Sequence, residues 1–239
     1  MTSRPEQPIR RRRCYLVRHG HVDYFNADGS PLDPRLVPLS RTGEQQVQAL
    51  GQVLDSLTFD RVLCSDYPRA QQTLKLLLTG RDVAFDATPQ LREIRAGRLR
   101  ELPADTLFDA VTGAYRFAAL PDATFLGGER WDAFERRVLR VFFDLLAEPE
   151  WNSALIVSHD AVNRVLLAWA SGAGLTEIAA FEQDTACLNI VDIDMRGSQV
   201  TDAIIRTLNY TPYDPHKSAI QNTVLENLFS AIKPDGLRA

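Results

Sequence analysis

Cysteine is scarce in this chain, and its spacing indicates neither a metal site nor a redox pair. The 239 residues include only Cys14, Cys64 and Cys187, with no C-x-x-C motif. Cys14 and Cys64 fall in apolar segments, where a thiol behaves as a small buried hydrophobe. An odd and scattered set of cysteines is typical of a reducing compartment, so we expect a cytoplasmic protein.

Long apolar runs and a strong net charge are also absent. No stretch is long enough to span a bilayer, which predicts no membrane partner. The formal net charge of -4 argues against a general nucleic-acid binder. The one basic run, Arg10 to Arg13, is interpreted as part of a flexible basic arm over residues 1–13.

Histidine is the third scarce residue, and two of the four histidines follow strand-like segments. Cys14 to Val17 precede Arg18-His19-Gly20, and Ala154 to Val157 precede Ser158-His159. Ligands of α/β proteins bind outside the carboxyl ends of parallel strands, so we expect both histidines at such a site.

The residues around the first histidine suit phosphate chemistry. The Arg18 guanidinium can clamp a phosphate with two parallel hydrogen bonds. The His19 imidazole can attack that phosphate and carry it covalently. Gly20 lets the backbone turn sharply and approach the anion.

Alternating apolar and amphipathic segments predict one α/β domain over residues 14–239. We expect three α/β/α layers with a mainly parallel central sheet covered by helices on both faces. The predicted strands are 14–18, 61–64, 83–85, 154–158 and a hairpin of 186–195 with 200–208. Helices are predicted over about 42–54, 68–78, 129–146 and 161–170. Residues 87–128 are interpreted as a cap-like excursion, and 214–239 as a C-terminal helical extension.

Six motifs, in order, resemble the histidine phosphatase superfamily, also called phosphoglycerate mutase-like, in its mutase/fructose-2,6-bisphosphatase branch. They span about residues 14–208, nearly the whole predicted domain. The motifs are Val17-Arg18-His19-Gly20, Leu39-Ser40-Arg41-Thr42-Gly43, Ser65 to Thr73, Leu91 to Gly97, Gly127-Gly128-Glu129 and Val157-Ser158-His159. Each motif is weak alone, whereas the ordered set is specific.

The resemblance implies a role for each matching residue. His19 matches the nucleophile that becomes phosphohistidine, and Glu93 matches the general acid. Arg18, Arg69 and Gly20 match the phosphate-binding residues, and His159 matches a second imidazole that contacts the transferring group. Two guanidiniums and an imidazole can stabilise the charge on the phosphoryl oxygens, so no metal or cofactor is expected.

Departures from the family pattern leave alternatives open. His21 stands where Glu or Gln is usual, and Asp160 stands where glycine is usual. The distant acid phosphatase branch uses an aspartate at that place as its acid, so both carboxylates are candidates, and we favour Glu93. A metal site built from His19, His21, His159 and Asp160 is a further alternative.

Two residues complete the set of secondary candidates. Ser65 opens the second signature motif. Arg95, together with Arg98 and Arg100, could recognise a second anionic group on the substrate.

The sequence thus predicts a metal-independent phosphomonoester hydrolase for a small phosphorylated metabolite. The alternatives are a phosphoglycerate-type phosphomutase and a non-catalytic phosphate-ligand sensor. The segment Glu93-Ile94-Arg95-Ala96-Gly97 replaces a Glu-Arg-His-Tyr-Gly-like segment of the mutases, which favours hydrolysis. A homodimer is left open.

Overall fold

A mixed sheet of six strands forms the centre of the fold. The computed structural model describes residues 8–26, 30, 32–98 and 105–232. The strands are β1 (Ile9–Arg18), β2 (Arg61–Ser65), β3 (Asp86–Thr88), β4 (Ser153–Ser158), β5 (Leu188–Arg196) and β6 (Gln199–Tyr210). They lie in the order β3-β2-β4-β1-β5-β6, with the first four parallel and the last two antiparallel to their neighbours. The prediction of a mainly parallel α/β sheet is confirmed.

Helices cover the two faces of this sheet. They are α1 (Arg41–Leu54), α2 (Pro68–Leu77), α3 (Leu107–Thr112), α4 (Trp131–Ala147), α5 (Asp160–Ser171) and α6 (Val224–Ile232). Successive strand residues point to opposite faces. Leu16 and Ile156 therefore pack in one core cluster with α4 and α5, whereas Val17 packs in a second cluster with α1 and α2. The three-layer arrangement follows from these two cores.

Local signals fix where the helices begin. The Ser40 hydroxyl accepts a hydrogen bond from the Gly43 N–H at 3.1 Å and so caps α1. Pro68 occupies the first position of α2, where its missing N–H costs nothing. These helices begin where the sequence predicts them.

One predicted boundary is wrong. The arm predicted over residues 1–13 is already strand from Ile9 onward, because the basic side chains have partners across the sheet. Arg13 faces Asp192 of β5 and pairs with it at 2.6 Å. Residues 1–7 of the predicted arm lie outside the described residues.

Two further predictions need adjustment. The strand predicted at 83–85 lies three residues later, at β3, where it pairs only with β2 at the edge of the sheet. The predicted excursion 87–128 contains helix α3, whose Leu107 and Val111 are buried. Residues 99–104 of that excursion are outside the described part.

The C-terminal extension contains helix α6, which joins the core and the excursion. Leu225 and Phe229 are buried in the cluster formed with α4 and α5. The Phe229 ring meets the ring of Phe108 in α3 edge to face, with centroids 5.2 Å apart. Across the described part of the chain, no helix is both long and apolar enough to cross a membrane.

Candidate active site

Parallel pairing of β1 with β4 brings His19 and His159 together. The register sets Arg18 opposite Ser158, so each histidine leaves the sheet at the same edge. The His19 N–H donates to the Ser158 carbonyl at 3.0 Å, and the two imidazole centroids lie 5.1 Å apart. Both rings are buried.

Hydrogen bonds on both ring nitrogens fix the tautomer of His19. Nδ1 lies 2.7 Å from the Gly20 carbonyl, which can only accept, so Nδ1 carries the hydrogen. Nε2 accepts from Arg69 Nε at 3.1 Å, which leaves its lone pair facing the guanidinium. Burial lowers the pKa of His19 well below its usual value, and Arg69 and Arg18 lower it further. The ring is therefore a neutral nitrogen base.

Arg69 bridges the two imidazoles from the first turn of α2. Its Nε donates to His19, and its Nη2 lies 3.3 Å from Nδ1 of His159. Its Nη1 donates to the Pro34 carbonyl in the loop before α1. The guanidinium carbon also lies 4.8 Å from the centroid of the Tyr67 ring. This planar group thus presents donors to both histidines at once.

His159 is oriented by Ser65 on the neighbouring strand end. Because Nδ1 of His159 faces a guanidinium, Nε2 carries the hydrogen and donates to Ser65 Oγ at 2.8 Å. Burial lowers the pKa of His159 well below its ordinary range, followed by the charge of Arg69. The structure therefore holds a second neutral imidazole beside the first.

Arg18 is buried against the loop that precedes β5. Its Nη1 donates to the Gln183 carbonyl at 2.6 Å, whereas its Nε is buried without a hydrogen-bond partner among the described residues. The Gln183 side chain is itself held by Asn189 at 3.1 Å. Gln183 and Asn189 could not be singled out from the sequence, since polar residues near an irregular loop are common.

Gly20 is required by close packing against the start of α1. A Cβ at this position would lie 2.6 Å from the Gly43 carbonyl oxygen and 2.8 Å from Val47 Cγ2. The Gly20 N–H donates to Thr73 Oγ1 at 3.1 Å. His21, which follows it, places Nδ1 2.8 Å from Ser40 Oγ. His21 thus ties the loop to the cap of α1.

Glu93 binds at the N-terminus of α5. Its Oε1 accepts from the Ala161 N–H at 3.1 Å and from its neighbour Ile94 N–H at 3.0 Å. Burial raises the pKa of Glu93 to about 7, and the nearby charge of Asp160 adds to that rise. Arg18 and the Ile94 N–H act in the opposite direction. A carboxyl group with this pKa can both give and take a proton near neutral pH.

Asp160 is buried, and both of its carboxylate oxygens already have donors. Arg164 Nε donates to Oδ1 at 2.6 Å, and the Tyr115 hydroxyl donates to Oδ2 at 2.7 Å. Neither partner was predicted from the sequence. The i,i+4 spacing of Asp160 and Arg164 on a helix was the available signal, whereas Tyr115 comes from the excursion.

Arg95 lies at the surface, where its charge approaches Glu129. Its side chain is 77% exposed and its Nε lies 3.7 Å from Glu129. Arg98 is also exposed, and Arg100 falls outside the described residues.

Arg92, which the sequence did not single out, pairs with Asp66 through two hydrogen bonds. Its guanidinium carbon lies 5.1 Å from the Tyr67 ring centroid. It therefore shares an aromatic neighbour with Arg69.

The alternative metal site is not assembled. His21 faces Ser40, and the oxygens of Asp160 are engaged by Arg164 and Tyr115. Over residues 8–26, 30, 32–98 and 105–232, no three His, Cys, Asp or Glu side chains converge to hold a metal ion.

Comparison with known proteins decides the family. Residues 14–205 match the sequence profile described as Histidine phosphatase superfamily (branch 1). The chain belongs to this superfamily. An Adenosylcobalamin/alpha-ribazole phosphatase of Salmonella typhimurium is 34% identical over 183 residues, covering 76% of this chain and 90% of that protein. These matches confirm the resemblance predicted from the motifs. The protein is a phosphatase of this superfamily.

Two further matches are a relative named as a mutase and a solved structure of a phosphatase. A protein of Enterobacter sp. named "Probable phosphoglycerate mutase GpmB" is 32% identical over 149 residues, 61% of this chain and 68% of its own. The crystal structure of the alpha-ribazole phosphatase from Shigella flexneri matches with a TM-score of 0.66 and 31% identity. That match covers 82% of this chain and 96% of the other. The family match ends before α6.

Proposed function

We propose that this histidine phosphatase is a metal-independent phosphomonoester hydrolase that acts through phospho-His19. The observation that carries the proposal is the fixed His19 tautomer, whose Nε2 lone pair faces Arg69 in a pocket shared with His159. A phosphoryl group that enters between them meets a neutral nucleophile and an array of donors already in position.

The first half-reaction transfers the phosphoryl group to the enzyme. The Nε2 lone pair of His19 forms a bond to phosphorus as the bond from phosphorus to the leaving oxygen breaks. Glu93 gives its proton to that oxygen, so the alcohol departs neutral. Arg18 and Arg69 donate to the equatorial oxygens, where the charge of the transition state lies, and the second imidazole lies beside them.

The second half-reaction returns the enzyme to its starting state. Water attacks phosphorus, and its proton passes to the Glu93 carboxylate. The bond from phosphorus to Nε2 breaks, which releases orthophosphate and restores the lone pair. A Glu93 pKa of about 7 suits both directions of transfer.

The named relatives support a proposal for the substrate, and the cysteines support one for the location. We propose a small phosphorylated metabolite, with alpha-ribazole phosphate as the first compound to test, because the relatives named for it match over most of their length. A cytoplasmic location is supported by three buried cysteines that are all free thiols. Homodimer formation stays a prediction.

The phosphomutase is the second candidate, because a protein named for that activity is among the relatives. A mutase would pass the phosphoryl group from His19 to a second hydroxyl group instead of to water. The segment around Glu93 differs from that of the mutases, so we favour hydrolysis. Measuring orthophosphate release against isomerisation of phosphoglycerate separates the two.

The direct test is turnover of p-nitrophenyl phosphate and alpha-ribazole phosphate in EDTA. We expect orthophosphate release by the wild type and by His216→Ala, whose histidine is exposed, and none by His19→Ala. Activity that needs an added divalent cation would contradict the metal-independent mechanism. Binding of phosphorylated metabolites without turnover would indicate the phosphate sensor instead.

A further inference from the structure

Two carboxylates share the buried N-terminus of α5. Glu93 accepts from the N–H of Ala161, and Asp160 is the residue before it. The proposed reaction uses only Glu93. Like charges at such a site disfavour simultaneous ionisation, so one carboxyl group influences the protonation of the other.

Asp160 is the carboxylate that has side-chain partners of its own. It receives one hydrogen bond from Arg164 and one from Tyr115, and each donor is buried. Arg164 is fixed in turn by Glu182 at 2.9 Å and by the Ile178 carbonyl at 3.3 Å. The ion pair with Arg164 and the hydrogen bond from Tyr115 hold the Asp160 carboxylate in place at this helix end.

Within the described residues, Glu93 has no such side-chain partner. Its carboxyl group meets backbone N–H groups and the charges of the surrounding site. Arg18 and Arg69 face it from the phosphate-binding side and favour its ionised form, whereas Asp160 favours its protonated form.

The remaining titratable neighbours leave the local charge unchanged near neutral pH. Tyr115 stays neutral, since burial raises its pKa well above the ordinary value. His159 is neutral, as burial lowers its pKa. Arg137 meets Glu93 at its backbone carbonyl, through Nη2 at 3.2 Å, and pairs its charge with Glu129 at 2.9 Å.

We propose that Asp160 is a positioning residue that acts through Glu93, as a fixed anion that keeps this acid protonated beside the phosphate-binding arginines. The inference rests on the proposed function, in which Glu93 is the general acid. It gives a reason for an aspartate where glycine is usual in the family, and for the arginine four residues later. Both oxygens of Asp160 are already engaged by Arg164 and Tyr115, so the carboxylate is not directed at the leaving oxygen.

The test is the pH dependence of kcat/KM for an alkyl phosphate, whose leaving group needs a proton. The reaction uses protonated Glu93, so the wild-type value should fall as the pH rises through about 7. Asp160→Asn removes the neighbouring negative charge and lowers the Glu93 pKa. The alkaline limb should then move about one pH unit or more toward acid.

The matched control is Arg136→Gln, which breaks an i,i+4 aspartate–arginine pair that is exposed on α4. Its alkaline limb should stay at the wild-type pH. The leaving group of p-nitrophenyl phosphate, nitrophenolate, departs without a proton. With this substrate, Asp160→Asn should not shift the pH dependence of the phosphorylation step. If Asp160 has a purely structural role, Asp160→Asn should lower kcat/KM for both substrates at every pH and leave the alkaline limb at the wild-type pH.

Asp160→Asn leaves the Arg164 guanidinium buried without its main partner, which can unfold the chain. The double variant Asp160→Asn with Arg164→Met removes both charges and is better tolerated in a buried site. An acid shift of the alkaline limb is expected there too, smaller than in Asp160→Asn because the Arg164 charge is removed as well.

Glu93→Gln separates this inference from the proposed function. If Glu93→Gln turns over alkyl phosphates at the wild-type rate, the proposed mechanism fails. If Glu93→Gln is slow but neither Asp160 variant moves the limb, the inference alone is overturned. A selective loss of alkyl phosphate turnover in Asp160→Asn at all pH values, with Glu93→Gln unaffected, would make Asp160 the acid and overturn both.

Discussion

Replacement of Arg69 by lysine tests the bridging guanidinium while preserving its charge. Arg69 lowers the pKa of His19 and of His159, and lysine would still do so, which keeps both rings neutral. What lysine removes is the planar fork that reaches both imidazoles. The substitution therefore isolates geometry from charge.

The magnitude follows from the number of donors that are lost. Nε and Nη2 of Arg69 point to positions 3.1 and 3.3 Å away on the two rings, and a phosphoryl group between them would use both donors. An ammonium group can occupy only one of these positions. Loss of one preorganised donor costs about 2.7–4 kcal/mol in the transition state, or roughly 10²–10³ in kcat. We expect Arg69→Lys to lose that much.

Steady-state hydrolysis of p-nitrophenyl phosphate measures this loss, and Arg92→Lys is the matched control. Arg92 also places its guanidinium over Tyr67, but it pairs with Asp66. Arg92→Lys should keep a rate near that of the wild type. An Arg69→Lys enzyme with the wild-type rate would refute the bridging role, because the guanidinium would then not contact the transferring phosphoryl group.

Three further predictions test other parts of the account. Glu93→Gln should severely slow the hydrolysis of alkyl phosphates and remove the alkaline limb near pH 7 from its pH dependence. It should leave the rate of the phosphorylation step with p-nitrophenyl phosphate unchanged, which pre-steady-state release of nitrophenol checks. Gly20→Ala should destabilise the fold by about 1–3 kcal/mol in denaturant titration, because its Cβ meets the Gly43 carbonyl oxygen. Phe229→Ala should cost about 3–5 kcal/mol by the same method, since the ring is buried in the core. Phe143→Ala, at an exposed ring, serves as its control and should change little; an equal loss in both would contradict the packing of α6.

The elements with local signals could be predicted from the sequence, whereas those that depend on distant partners could not. Ser40 and Pro68 set the starts of α1 and α2, so both were predicted correctly. The basic residues of β1 resembled a solvated arm because Asp192, the partner of Arg13, is 179 residues further along the chain. A charge run with remote acidic partners has no local signature.

The same distinction applies to the candidate site. Two apolar strands that end in histidine predicted that His19 and His159 would meet, since parallel neighbours end at one edge. The motif resemblance supplied Arg69 and Glu93. Tyr115 could not be found, because its contact with Asp160 spans 45 residues and starts in an irregular excursion.

The measurement that tests the central claim most directly is rapid quench of the wild type with a radiolabelled phosphate ester, followed by peptide mapping. The account predicts a transient phosphoenzyme that is labile in acid, stable in base and located on His19. His19→Ala should trap no label while keeping its fold, as far-UV circular dichroism would check. Label on another residue, acid-stable label, or label retained in His19→Ala would contradict the account.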